Sequence, residues 1–142
     1  MVTLYNVISS DGYIARKDGS EDFIPNEVWG DWLGLFPNYE VLVMGKHTYD
    51  ALQKYELELL DVFEKTPIKK VVVSRDETFI PKLGYKKAAS PKEAFGSGTR
   101  SLLTSGPGLN TSVLKEGLIE KVILNILPIS IGEGLKVFAH GS

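Results

Sequence analysis

The chain has 142 residues, enough for one domain with a core of its own. Hydrophobic residues make up 43% and charged residues 24%, the balance of a soluble globular protein, and the formal net charge of −2 argues against a general nucleic-acid or acidic-membrane binder. The absence of cysteine excludes disulfides, thiolate catalysis and zinc–thiolate sites and is compatible with a reducing cytoplasm; neither a signal-peptide layout nor an apolar run near the ~20 residues of a membrane span is present.

Residues 2–8 (VTLYNVI) carry a strand pattern, Asp11-Gly12 a turn, Tyr13-Ile14-Ala15 a short apolar continuation and Asp18-Gly19-Ser20 a second turn. Asn26 is placed to cap a helix over 27–35, with Val28, Trp32, Leu33 and Phe36 on one face, and Pro37-Asn38 stops it. Residues 40–44 read as a buried strand, 46–53 as the start of a helix and 57–63 as a further apolar, helical stretch. Another strand covers 70–74 and a short one 85–89; Ser90, Pro91 and Glu93 then make the start signal of a capped helix. A strand over 100–104, a helix over 109–116 ended by Gly117, a strand over 121–127 closed by Pro128 and a last short strand over 135–139 complete the chain.

Strands alternating with helices predict βαβ crossovers and a largely parallel α/β sheet, and near-continuous apolar strands such as VLVM and VVVS suit burial on both faces. Ligands of such sheets bind beyond the carboxyl ends of the strands, where the turns after Met44, Val73 and Thr104 fall. Two of these turns are glycine turns, Gly45-Lys46-His47-Thr48 and Ser105-Gly106-Pro107-Gly108-Leu109. Each leads from an apolar strand into helical spacing, so free N–H groups and a positive helix end face whatever sits above the strand. The glycines permit close approach, Thr48 adds a hydroxyl, Lys46 a charge, and Pro107 fixes one φ angle. Two such turns can grip the two ends of a diphosphate, which makes a nucleotide cofactor the first expectation; the plainer reading is a pair of structural turns with Lys46 and His47 solvated.

The ordered pieces SSDGYIA (9–15), VMGKHTYD (43–50), VVVSR (71–75), SGPGLNTSVLKEGLIEKV (105–122) and PISIGEGLKVF (128–138) resemble the dihydrofolate reductase fold, and more closely the reductase domain of riboflavin biosynthesis, the RibD C-terminal family. The resemblance implies a single three-layer reductase-like domain over 1–142, with a mostly parallel central sheet flanked by helices. It implies NADPH held by Gly45, Lys46, His47, Thr48, Ser74, Arg75, Ser105, Gly106, Pro107, Gly108 and Leu109, with Arg75 and Ser74 facing the 2′-phosphate. The implied reaction is hydride transfer to a pyrimidine ribosylamine such as 5-amino-6-(5-phosphoribosylamino)uracil, in a cytoplasmic homodimer. Asp11, in the stretch that borders nicotinamide and substrate in the family, and Asp31 are the candidate catalytic residues; Asp22, Glu27 and Asp31 are the substrate-side candidates, the last two sharing a helix face at i, i+4.

Plainer readings stand beside these: a β-turn for Asp11, a solvated helix face for Glu27 and Asp31, an exposed arginine for Arg75. No metal, nucleic-acid or membrane partner is expected. Dihydrofolate reduction is the alternative activity. Two departures motivate an alternative of another class, a nucleotide-binding module without turnover. Ser105-Gly106 stands where the family has Gly-Gly, whose paired glycines permit a cis peptide in dihydrofolate reductases, and the chain stops at Ser142 where the family continues into a closing strand. Trp29, Trp32, Phe36 and Tyr39 are expected in the core or an interface, the pairs Lys69-Lys70 and Lys86-Lys87 in solvent, and Gly132 and Gly134 at a bend.

Overall fold

Apolar strands that return through helices build one six-stranded sheet. The computed structural model describes residues 1–96 and 98–139. Its strands β1 (Val2–Ile8), β3 (Val41–Gly45), β4 (Lys69–Val73), β5 (Tyr85–Ala88), β6 (Ser101–Leu103) and β7 (Ile119–Ile126) lie in the order β5-β4-β3-β6-β1-β7, and every pairing between them is parallel. Two short strands, β2 (Tyr13–Ala15) and β8 (Leu135–Lys136), pair antiparallel in a ribbon of their own.

Helices α1 (Glu27–Leu35), α2 (Lys46–Gln53) and α3 (Leu57–Glu64) cover one face; α4 (Pro91–Ala94) and α5 (Pro107–Lys115) cover the other. Alternation along each strand feeds both layers. Tyr5, Leu42, Met44, Val72 and Leu102 meet Trp32, Phe36, Tyr49, Leu52, Leu60 and Phe63. Val2, Leu4, Val41, Val43, Val71 and Leu103 meet Ala94 and Val113. The first layer is the aromatic one: Trp32 stacks on Phe63 at 5.2 Å and meets Phe36 edge-on at 5.1 Å, while Trp29 and Tyr39 pack half-buried against it. No helix among the described residues is long and apolar enough to cross a membrane.

Local signals explain most boundaries. Ser90 Oγ accepts the Glu93 N–H at 3.3 Å while the Glu93 carboxylate accepts the Ala89 N–H at 2.8 Å, a reciprocal box that starts α4. Gly117, at φ +71°, ends α5 and donates its N–H to Leu114 O at 2.9 Å. Asn26 occupies the cap position of α1 but makes no side-chain capping bond; the carbonyls of Pro25 and Asn26 take the N–H groups of Val28 and Trp29 instead. The expected last strand pairs only through Leu135 and Lys136. Beyond them the chain turns onto α5, where Asn110 Nδ2 donates to Val137 O at 2.9 Å and Ala139 N–H donates to Thr111 Oγ1 at 2.8 Å.

Lys70 corrects the expectation of a solvated lysine pair. It is 5% exposed, and its ammonium donates to Thr66 O (2.8 Å) and Ile68 O (3.1 Å) just past the end of α3, 5.4 Å from the centre of the Phe63 ring. A cation there satisfies carbonyls of the loop between α3 and β4.

The middle of the sheet positions the site. β3 runs into α2 on the aromatic face, toward β4; its neighbour β6 runs into α5 on the opposite face and crosses β1 to reach β7. Adjacent strands whose connections part in this way open a crevice beyond their carboxyl ends.

Candidate functional site

Both glycine turns stand at that crevice. Gly45 and Gly106 precede α2 and α5 in extended backbone, and neither helix has a side-chain cap. The first-turn N–H groups of Lys46, His47 and Thr48, and of Gly108 and Leu109, are therefore left without partners inside their helices. A Cβ added at Gly106 or Gly108 would meet nothing within 4 Å, so the space over this turn is open. Pro107 begins α5, where its missing N–H costs nothing. The Leu109 side chain packs into the second core layer, which leaves only its N–H for a ligand.

One contact joins the turns. Gly45 donates its N–H to Ser105 Oγ at 3.0 Å, and a Cβ on Gly45 would stand 3.0 Å from that oxygen. Ser105 is 6% exposed; its carbonyl accepts Asn6 Nδ2 at 3.0 Å and Asn110 Nδ2 at 3.1 Å, and Asn110 Nδ2 also reaches Asn6 Oδ1 at 3.1 Å. The described peptide bonds are all trans, Ser105-Gly106 included. Trp32 Nε1 donates to Thr104 Oγ1 at 3.1 Å and ties α1 to the same turn. Asn6 and Asn110 lie outside the sequence expectations; the signal that could have found them is an asparagine inside each of two apolar stretches.

The third turn supplies charge. Ser74, 9% exposed, accepts the Asp76 N–H on its hydroxyl at 3.1 Å. Arg75 is exposed and makes no hydrogen bond or ion pair among the described residues. Lys46 pairs with Asp50 at 2.9 Å and lies 5.4 Å from the Phe79 ring centre, and Lys87 Nζ donates to Asp76 O at 2.6 Å. The Thr78 hydroxyl and N–H hold the Asp76 carboxyl below its ordinary range, and the charges of Lys46 and Lys87 add to this. Among the described residues those two cations are engaged whereas Arg75 is not, and exposed His47 and half-buried Thr48 stand at the opening of α2.

The substrate-side candidates separate. Asp11 braces the chain: one oxygen accepts Ser9 Oγ (2.5 Å) and Ile131 N–H (3.3 Å), the other Ser130 Oγ (2.9 Å) and Gly132 N–H (2.8 Å). The Ser9 hydroxyl foremost, then the Gly132 N–H and Ser130, keep its carboxyl well below the usual range, the opposite of a proton donor. Gly132, at φ +83°, and Gly134, where a Cβ would collide with the Ala15 carbonyl, form the bend that delivers these donors. Asp22 is paired with Arg16 at 2.5 Å, and Glu27 is exposed.

Asp31 is exposed on α1, and its charge reaches Tyr5. Burial raises the Tyr5 phenol above its usual range, Asp31 raises it further, and the bond from Asn125 opposes both. Tyr5 Oη accepts Asn125 Nδ2 at 3.3 Å. Tyr5 and Asn125, on neighbouring β1 and β7, form a polar pair outside the sequence expectations; a tyrosine and an asparagine inside apolar strands were the available signals. Two shallow hollows, one lined by Leu57, Glu58, Leu60 and Asp61 and one by Arg16, Lys17, Asp18, Ile131 and Glu133, include no residue of the glycine turns. Among the described residues no three histidines or carboxylates gather to hold a metal.

Comparison with known proteins places this geometry. No family model matches the chain. An uncharacterized Bacillus subtilis protein, YwjB, is 27% identical over 146 aligned residues, which cover 95% of this chain and 80% of that one. Among solved structures, a candidate riboflavin biosynthesis protein from Shewanella sp. PV-4 superposes with a TM-score of 0.75 at 24% identity, over 98% of this chain and 83% of its own. Acinetobacter baumannii RibD follows at 0.72 and 18%, covering 99% of this chain and 49% of its own. Enterococcus faecalis dihydrofolate reductase, solved with NADP(H), superposes at 0.69 and 13%, over 99% and 77%. The fold is that of the dihydrofolate reductases. The solved neighbours thus include a dihydrofolate reductase and proteins of riboflavin biosynthesis.

Proposed function

We propose that the protein is an NADPH-dependent reductase acting on a pyrimidine ribosylamine of the 5-amino-6-(5-phosphoribosylamino)uracil type. The observation that carries this reading is the pair of glycine turns at the parting of β3 and β6, with helix N-termini facing the crevice and a partner-free Arg75 beside them. The donor set fits a dinucleotide: N–H groups of α2 and α5 for a diphosphate, open space over Gly106 and Gly108, and Arg75 with Ser74 for a 2′-phosphate. Bound there, the dihydronicotinamide supplies the hydride. The chain's own part is to bind, orient and exclude water: α2 and α5 hold the phosphates, and Asp31, Tyr5 and Asn125 orient the substrate heterocycle from the other side. A cytoplasmic homodimer goes with this reading. It is supported by the cysteine-free composition and by Val122, Leu124 and Ile126, exposed together on one face of the edge strand β7.

Tryptophan fluorescence titrations with NADPH and NADH, followed by NADPH oxidation across pyrimidine and pterin substrates, test the proposal. Tight NADPH-preferring binding with turnover of a pyrimidine ribosylamine is expected. Turnover of dihydrofolate alone would move the assignment to pterin reduction; binding without oxidation would leave a nucleotide-binding module. Light scattering that returns a monomer mass would remove the dimer.

A further inference from the structure

The Gly45 N–H, a natural phosphate donor in a strand-to-helix turn, is already spent on Ser105 Oγ. The phosphate donors of the first turn are therefore those one to three residues further on, and their position depends on what holds Gly45. Ser105 in turn is immobilised from behind, with its carbonyl on the amides of Asn6 in β1 and Asn110 in α5. It sits where the chain parts toward opposite faces of the sheet, so no helix packs across the gap there; Thr104 N–H on Val43 O, at 3.1 Å, is the backbone contact next to it. Leu109 closes the same contact from α5, 3.7 Å from where a Gly45 Cβ would stand.

We infer that Ser105 is a positioning residue whose hydroxyl, by holding the Gly45 N–H, sets the separation of the α2 and α5 N-termini to the span of one dinucleotide. The inference rests on the reading of the two turns as a dinucleotide site. Its consequence is specific. Ser105 contributes to the binding of two ligand halves at once and little to either half alone, because it governs the distance between subsites rather than the donors within one.

The experiment compares NADPH with its halves, adenosine 2′,5′-bisphosphate and reduced nicotinamide mononucleotide, by calorimetry on the wild type, Ser105→Ala and Ser105→Thr. The Ala variant is expected to bind NADPH about tenfold more weakly and each half within about twofold of wild type. Ser105→Thr keeps the hydroxyl and is expected to restore most of the NADPH affinity. Unchanged NADPH binding in the Ala variant, or halves that weaken as much as the whole, overturns the inference. If the Ala variant does not fold, a folded Thr variant that has lost NADPH affinity while keeping its halves also overturns it, and one that keeps all three supports it. A wild type that binds neither NADPH nor its halves refutes the reductase reading, and the inference with it; that result is distinct from a loss confined to the linked ligand.

Discussion

The two sides of the crevice are built from different materials. Along β4, β3 and β6 the groups proposed for the cofactor are main-chain N–H groups, set by glycine turns and braced by Ser105, Asn6 and Asn110. Along α1, β1 and β7 the groups proposed for the substrate are side chains, exposed Asp31 and the pair Tyr5 and Asn125, which share one bond of 3.3 Å. The first side is cross-braced by buried Ser105, Asn6 and Asn110; the second ends at a sheet edge with exposed Val122, Leu124 and Ile126. The difference teaches that backbone geometry can serve a cofactor shared by many reductases, while a substrate is chosen by a few replaceable side chains.

Trp32 ties the two sides, so removing it is the most damaging test of the comparison. Trp32→Ala loses the stack on Phe63 and the bond to Thr104, and should cost roughly 3–5 kcal/mol in urea unfolding. A loss below about 1 kcal/mol would show that the sides stand without this tie. Arg75→Ala comes next: NADPH binding should weaken on the order of 10- to 100-fold with NADH nearly unchanged, since a charge-assisted contact to one phosphate is removed. Equal losses would take the 2′-phosphate away from Arg75.

Asp31→Asn sharpens the division from the substrate side. It should raise KM for the reducible heterocycle about tenfold while the NADPH Kd stays put. A fall in NADPH affinity instead would erase the boundary drawn between the sides. Asp11→Asn should have the smallest effect, a lowered Tm at neutral pH with NADPH affinity retained. Because the folded carboxyl lies below its ordinary range, its stabilising contribution is fully present above about pH 4 and is lost progressively below it, as pH falls toward the depressed folded value. The Tm gap between variant and wild type should therefore close in acid; a gap constant with pH would mean that the side chain acts by shape alone.

What was legible in the chain follows this same division. The glycine turns, the Ser90–Glu93 box and the Gly117 stop could be read because each depends on a few neighbouring residues with known conformational limits. Lys70 could not, since an ammonium in a strand shows no local sign of the carbonyls that will surround it. Tyr5 and Asn125, 120 residues apart, meet only because β7 lies beside β1. Asp11 was legible as a turn but not as a brace, because three of its four donors, Ser130, Ile131 and Gly132, come from the far end of the chain.

By itself the sequence determined the element types, the two-faced burial of the strands, the turns at their carboxyl ends and the absence of cysteine chemistry. All of these depend on residue type and on periods of two or about 3.6, which short stretches carry on their own. Only the tertiary structure decided that β3 and β6 are neighbours with diverging exits, that Ser105 takes the Gly45 N–H, and that Asn125 meets Tyr5. Strand order and side-chain partners are set by contacts between distant segments, and their energies exist only once the whole sheet has formed.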